Sequence, residues 1–248
     1  GGLVQWLIQM PSLLKMGFRF QKKGKIIDES LIQVLKLTGP AIIGGAAVQV
    51  NVLINTSFAS YLAHGSISWL QYAFRLMQFP IGVFGVAIAT ACTPALARAK
   101  ALGNGDELKN TLRESTRLAF FLCLPSTLGL ILFAQPIMAL IYEHGQFTAF
   151  DTQQAAFALQ AYTLGIVSYS LVKIYQPAFL VFDDAKTPMI ISLISIAINT
   201  LLNSFFVFVL HLGHTSLALG TSIVMIGNGF MLTVLFRKKV SGIWDKVL

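Results

Sequence analysis

The chain has 248 residues, of which 55% are hydrophobic and only 11% are charged, whereas a soluble domain carries about 25% charged residues. This composition and the mean hydropathy of +0.72 exclude a soluble globular domain and predict an integral membrane protein of the all-α class. The net charge of +8 would suggest a nucleic-acid partner in a soluble protein, but the positions of the charges explain it differently.

Seven stretches are apolar enough to cross a membrane as helices of about 20 residues. They are residues 1–16, 37–62, 67–97, 117–142, 153–181, 188–210 and 215–236. The first begins without Met in an apolar run that has no basic leader, so it is expected to be part of a helix of a longer protein and not a signal peptide. The sequence therefore predicts a polytopic helical bundle of about seven transmembrane helices.

The basic residues alternate from loop to loop. Sixteen of the eighteen Lys and Arg residues lie in the segments after spans 1, 3, 5 and 7 or within two residues of them, and the loops after spans 2, 4 and 6 contain none. Because basic loops remain on the cytoplasmic side, the loops after spans 1, 3, 5 and 7 are predicted to be cytoplasmic. Within the segment 101–119, acidic residues suit a helix start, and the leucine spacing favours a short amphipathic connector helix on the inner membrane face.

Two cations, Arg75 and Lys173, lie well inside predicted spans and away from their ends, where an ionisable group is costly and indicates a functional site. Arg75 either lines a hydrated cavity or snorkels to the headgroups, and the absence of basic residues from the outer loops favours the cavity. Lys173 is open to either interpretation. An arginine fork matches phosphate or carboxylate, so the substrate is expected to supply the missing counter-ion of Arg75.

Pro80, Gly82 and Gly85 follow Arg75 in the same span. Proline permits a kink, and glycines permit bending or close helix contact. These three residues are predicted to form a hinge beside the cavity.

Uncharged polar residues recur at helical spacing in spans 2, 6 and 7. They include Asn55, Asn199, Asn203 and Thr221. Amides and hydroxyls in spans either join helices by hydrogen bonds or offer oxygens to a hard cation. The residues alone leave both interpretations open.

The sequence contains no phosphate loop, zinc-ligand spacing or nucleophile motif, and we predict that the protein is not an enzyme and has no metal cofactor. Cys92 and Cys123 are predicted to be packing residues, and His144 and His214 to be loop residues without a second ligand nearby. The Asp183 and Asp184 pair fits a turn.

Several stretches together resemble the MurJ (MviN) family of lipid II flippases, in the multidrug/oligosaccharidyl-lipid/polysaccharide (MOP) exporter superfamily. "RLMQFPIGVFGVAIAT" (75–90) is the most specific, and "HGQFTAFDTQQAAFALQAYTLG" (144–165) and "DDAKTP" (183–188) follow in order. The resemblance covers nearly the whole chain. It implies transport of a peptidoglycan precursor for cell-wall biogenesis and cell shape, in the bacterial inner membrane.

The resemblance also implies a domain organisation. Residues 1–16 would end the last helix of an N-terminal lobe, 17–36 would form a basic cytoplasmic linker, 37–236 a six-helix C-terminal lobe, and 237–248 a basic tail leading to further helices. The partners would be lipid II, membrane lipids and the N-terminal lobe of the same protein.

For the site, the resemblance implies that Arg75 binds the pyrophosphate of lipid II, and that Asn55, Asn199, Asn203 and Thr221 occupy the sodium-site positions of some relatives. A carboxylate expected in that set is missing here, which puts sodium in doubt and leaves the membrane potential as a possible driving force. The alternatives are a MOP exporter of another lipid-linked oligosaccharide, of the O-antigen type, or of a drug, and a membrane glycosyltransferase.

Overall fold

The computed structural model describes residues 2–17 and 29–244, and within these ranges every regular element is a helix. Parts of the predicted linker (18–28) and tail (245–248) lie outside the described residues. The α-helices of these ranges are α1 (Gly2–Lys15), α2 (Glu29–Ser60), α3 (Ser66–Pro80), α4 (Ala87–Ala101), α5 (Gly105–Leu132), α6 (Ala134–Tyr142), α7 (Ala149–Thr163), α8 (Ile166–Val181), α9 (Lys186–Ser204) and α10 (Thr215–Trp244). Two π-helical segments, Ile81–Val86 and Phe205–Val209, follow α3 and α9.

The chain divides into two compact units, residues 1–36 and 37–248. The first unit contains α1 and the beginning of α2, which starts at Glu29. Residues 29–36 of the predicted linker are therefore helical. In the second unit, α10 runs on through Trp244, so the described part of the predicted tail is helical as well.

Five helical stretches are long and apolar enough to cross a membrane: Thr38–Ser60, Ser66–Ala101, Gly105–Leu132, Lys186–Val209 and Thr215–Val240. Helices α7 and α8 form a sixth if they are taken as one span bent by 48°. These six correspond to predicted spans 2 to 7. Predicted span 1 corresponds to α1 (14 residues), and by length and composition the described residues contain five or six candidate spans.

The prediction of a separate amphipathic helix within 101–119 was wrong. The chain does turn there, with Gly103 at φ +66°, and the Asn104 side chain accepts a hydrogen bond from the Glu107 amide at 3.1 Å, which caps α5. The helix then continues unbroken to Leu132. Its polar first half buries a stripe at helical spacing, formed by Leu108, Leu112, Thr116 and Ala119. This buried stripe keeps the segment helical up to the apolar second half.

Two ion pairs lie at what we call the basic end of the unit 37–248. Lys100 of α4 donates to Asp183 at 2.8 Å, and Lys239 of α10 donates to Asp184 at 2.5 Å. Burial opposes ionisation of Asp184, but its hydrogen bonds from Lys239 and Thr187 outweigh burial and lower its pKa. These ion pairs connect the loop between α8 and α9 to α4 and α10.

At the other end of the unit 37–248, which we call the histidine end, Trp69 connects α3 with α7 and with His214. Its indole nitrogen donates to Asp151 at 2.8 Å, and its ring lies 4.9 Å from the ring of His214. The His214 imidazole is hydrogen-bonded to the carbonyl oxygen of Gln154 at 3.0 Å. Burial lowers the pKa of His214, and the bond to Gln154 offsets part of that effect.

Two buried clusters form the core. One includes Trp69, Leu159 and Leu217 and packs α3, α7 and α10 together. The other includes Leu96 and Phe236 and packs α4, α5, α8 and α10 together. Cys92 and Cys123 are buried free thiols in these clusters, which confirms that they are packing residues.

Candidate functional site

A cavity of about 500 Å³ opens within the unit 37–248, lined by residues of α2, α3, α7, α8, α9 and α10. Its described lining contains two cations, Arg75 and Lys173, and seven side-chain amides, but no Asp or Glu. A concave site with positive charge and no negative charge attracts anions. The cavity is therefore suited to a ligand that carries both negative charge and neutral polar groups.

Arg75 and Lys173 both line this cavity, and both side chains are exposed. Within the described ranges, neither forms an ion pair or a hydrogen bond. Gln71 and Gln78 lie four residues before and three residues after Arg75, which places the three side chains on one face of α3. Lys173 and Gln176 share a face of α8 in the same way. The sequence left Lys173 open between the cavity and the headgroups, and the structure brings it to the cavity.

The predicted amide set comes together between α2, α9 and α10. The Asn203 Nδ2 atom donates to Asn55 Oδ1 at 2.6 Å and to Asn199 Oδ1 at 3.0 Å. The Asn55 Nδ2 atom donates in turn to Thr221 Oγ1 at 3.3 Å. Asn199 and Asn203 are almost completely buried, so these bonds are shielded from water.

This arrangement does not fit the sodium ion that the resemblance implied for these positions. A hard cation needs converging oxygens, but the oxygens of Asn55 and Asn199 converge on the N–H groups of Asn203. The set also contains no carboxylate to offset the desolvation of an ion. The geometry instead fits a neutral hydrogen-bonded contact between helices, in which Asn203 Oδ1 and Asn199 Nδ2 are buried without a partner among the described residues.

The predicted hinge residues lie where the helix changes type. Pro80 ends α3, and the π-helical segment Ile81–Val86 contains both glycines. A Cβ atom on Gly85 would lie 2.9 Å from the Ser170 hydroxyl oxygen, whereas one on Gly82 would meet nothing within 4 Å. Gly85 therefore serves close packing against α8. The hinge role stays a prediction, although π-helical segments are frequent at functional sites.

Sequence reasoning missed three glutamines and one asparagine of the cavity: Gln71, Gln78, Gln176 and Asn228. The signal that would have found the glutamines is their spacing of three or four residues from Arg75 and Lys173. Asn228 lies seven residues after Thr221, which is two helical turns along the same face.

The same fold occurs in solved structures of transporters. It superposes with a TM-score of 0.73 on a structure described as a multidrug resistance MATE family transporter of the MOP superfamily in an outward-facing conformation, at 17% identity, covering 84% of this chain and 45% of that one. It also matches the structure of a lipid II flippase MurJ in an inward closed conformation with a TM-score of 0.73 and 30% identity, over 87% of this chain and 45% of that chain.

The model of the lipid II flippase MurJ family matches residues 1–248, and this chain belongs to that family. It is 38% identical over 222 residues to a probable lipid II flippase MurJ of Vibrio cholerae, which covers 90% of this chain and 42% of the relative. It is 34% identical over 243 residues to a lipid II flippase MurJ of Burkholderia cenocepacia, which covers 96% of this chain and 47% of the relative.

The chain thus spans about half the length of the curated relatives that it matches. Family membership and the apolar helices together identify a multi-pass bacterial membrane protein.

Proposed function

We propose that this chain forms one lobe of a flippase that carries lipid II, the polyprenyl-diphosphate-linked precursor of peptidoglycan, from the inner to the outer leaflet of the bacterial inner membrane. The observation that supports this most directly is Arg75, a cation exposed in a cavity whose described lining has no carboxylate. A charged diphosphate cannot cross hydrocarbon bare, and a hydrated cationic cavity lowers that barrier.

In this proposal the Arg75 guanidinium binds the diphosphate through paired N–H donors, and Lys173 adds a second positive charge. The polyprenyl tail stays in lipid. The lobe rocks against an N-terminal lobe of the same protein in alternating access, with bending at Pro80, Gly82 and Gly85.

The basic end of the lobe faces the cytoplasm in this proposal, since Lys and Arg are retained on that side. The membrane potential is the proposed driving force. With the inside negative, it favours outward movement of an anion by about 2.3 kcal/mol per charge per 100 mV. The neutral amide set around Asn203 supports this choice over sodium coupling.

Two alternative cargoes are less well supported. A cationic drug would meet Arg75 and Lys173 without a carboxylate among the described lining residues. Another lipid-linked oligosaccharide would suit the same charges, but the relatives in Vibrio cholerae and Burkholderia cenocepacia are named lipid II flippases. The named relatives are also transporters and not glycosyltransferases.

The test is rescue of a strain depleted of its own lipid II flippase by the full-length gene that carries Arg75→Ala or Arg75→Lys. We expect Ala to fail and Lys to rescue in part, because Lys keeps the charge but loses the planar fork. Arg113→Ala is the matched control, since Arg113 is exposed on α5 and does not line the cavity. Full rescue by a well-expressed Arg75→Ala protein would contradict the proposal.

A further inference from the structure

Two buried acceptor atoms in the cavity have no donor. The Oδ1 atoms of Asn51 and Asn228 are shielded from solvent and receive no hydrogen bond from the described residues. Both residues line the same cavity as Arg75, and Asn228 is only 5% exposed. Because a buried polar group without a partner is costly, each such oxygen indicates a position where a ligand could supply a donor.

A hydrogen bond holds the Asn228 oxygen in place. The Asn228 Nδ2 atom donates to the Ser195 hydroxyl at 3.0 Å, so the other end of the amide is left to accept. Ser195 and Asn51 each lie one helical turn before a member of the amide set, Asn199 and Asn55. The two acceptors therefore continue the polar wall of α2, α9 and α10, whereas the two cations of the cavity belong to α3 and α8.

The chemistry of the wall selects the class of ligand group. A phosphate oxygen would be repelled by carbonyl oxygens, and a metal cation would find neither a carboxylate in the described lining nor relief from the charges of Arg75 and Lys173. Uncharged donors remain, namely hydroxyl groups and amide N–H groups. An N-acetylated glycan carries both next to a diphosphate.

We propose that Asn51 and Asn228 form an acceptor wall that binds hydroxyl and amide N–H groups of the glycan while Arg75 holds the diphosphate. The inference rests on the proposed function, and it adds the part of the cargo that the cations do not recognise. The wall selects a diphosphate lipid that carries a sugar over the same lipid without one, because only the sugar supplies donors to the two oxygens.

The experiment compares two probes on the purified full-length protein: a prenyl diphosphate, and the same prenyl diphosphate bearing an N-acetylated disaccharide. Binding of each is measured by native mass spectrometry for the wild type and for Asn51→Leu, Asn228→Leu and Arg75→Ala. Asn110→Leu is the matched control, because Asn110 is exposed on α5 and does not line the cavity.

We expect each cavity asparagine variant to reduce the preference for the disaccharide probe by roughly tenfold, with the affinity for the bare prenyl diphosphate unchanged. Asn51→Ser should restore part of the preference, since a hydroxyl can also accept. Arg75→Ala should weaken the binding of both probes by the same factor. Asn51→Leu is the decisive variant if Asn228→Leu fails to fold, because Asn51 makes no hydrogen bond in the described ranges.

The acceptor wall would be overturned if the asparagine variants lost affinity for both probes equally, or if their preference for the disaccharide probe did not change. A wild type that does not distinguish the two probes would overturn it as well. If Arg75→Ala leaves both affinities unchanged while the asparagine variants lose their preference, the diphosphate role of Arg75 fails and the wall stands.

Discussion

Asn203 of α9 donates a hydrogen bond to the side-chain oxygen of Asn55 on α2 at 2.6 Å. Asn55 also donates to Thr221 of α10. In the described ranges, these two bonds are the side-chain hydrogen bonds between α2 and other helices. The position that could have held a cation is thus occupied by an N–H donor. A polar set in a membrane span serves here as a contact between three helices.

The first prediction is that sodium does not stabilise the full-length protein. Replacing NaCl by KCl should leave the thermal midpoint of the wild type unchanged, because the oxygens of Asn55 and Asn199 already accept hydrogen bonds from Asn203 and the set has no carboxylate. Asn55→Asp introduces a carboxylate into the set and should make the midpoint depend on the cation. Thermal unfolding in detergent at equal ionic strength measures both, with Asn110→Asp as an exposed control. A wild type that is more stable in sodium than in potassium would contradict the neutral network.

The second prediction concerns Gly220 of α10. A Cβ atom there would lie 2.9 Å from Asn203 Oδ1, and the Asn203 amide cannot move without weakening its two bonds. Gly220→Ala should therefore lower the free energy of unfolding by about 1–3 kcal/mol. Gly227→Ala is the control on the same helix, because a Cβ there meets nothing within 4 Å. Equal thermal midpoints for the two variants would contradict the prediction, because the Asn203 amide would then have moved without loss of stability.

The third prediction concerns the π-helical segment after Arg75. Gly85→Ala should destabilise the lobe by about 1–3 kcal/mol, because the added Cβ would also approach the Ser170 Cα at 3.2 Å. Gly82→Ala in the same segment should be neutral or slightly stabilising, since alanine is the better helix former. Thermal midpoints of both variants test this, and a stable Gly85→Ala protein would mean that α8 can shift.

The fourth prediction concerns the basic end. Asp184→Asn should cost about 1–3 kcal/mol, because Asp184 accepts from Lys239 and from the amide and hydroxyl groups of Thr187. Asp183→Asn should change little, since Asp183 is 59% exposed and pairs of exposed charges contribute little. Asparagine also tolerates the positive φ of residue 183.

The lowered pKa of Asp184 also sets a pH window. Its contribution is fully present above the unfolded pKa of about 3.9 and is lost as the pH falls through the lower folded pKa. The difference in midpoint between the wild type and Asp184→Asn should therefore shrink in strong acid. A difference that stays constant down to that range would contradict the assignment.

The fifth prediction concerns His214 at the histidine end. Its folded pKa lies below the unfolded value of about 6.5, so below that pH the unfolded chain takes up a proton that the folded protein does not. Stability should therefore fall as the pH drops from about 6.5 toward the folded pKa. His214→Gln retains a donor for the Gln154 carbonyl but cannot titrate. Its midpoint should fall less than that of the wild type over this window, and parallel curves would contradict the prediction.

Much of the architecture could be predicted from local properties of the chain. Apolar length and turn residues located the five apolar helical stretches and the bent pair α7 and α8, because helix hydropathy is a property of one segment at a time. The segment 101–119 differs from this pattern, because its polar surface predicted a separate helix that the structure does not contain. Its buried stripe continues the helix into the span, and only the packing against neighbouring helices reveals that continuity.

The candidate site was likewise predictable only in part from the sequence. The sequence by itself determined that Arg75 and Lys173 are cations inside spans, since charge and position along the chain are local. It left open whether Asn55, Asn199, Asn203 and Thr221 join helices or hold an ion, because these residues are up to 166 positions apart. Only the tertiary structure decided which amide end faces which oxygen, and that direction separates a bonded helix contact from a cation site. It also brought Asn51 and Asn228 to one cavity, since hydrogen-bond partners on different helices are chosen by packing and not by sequence spacing.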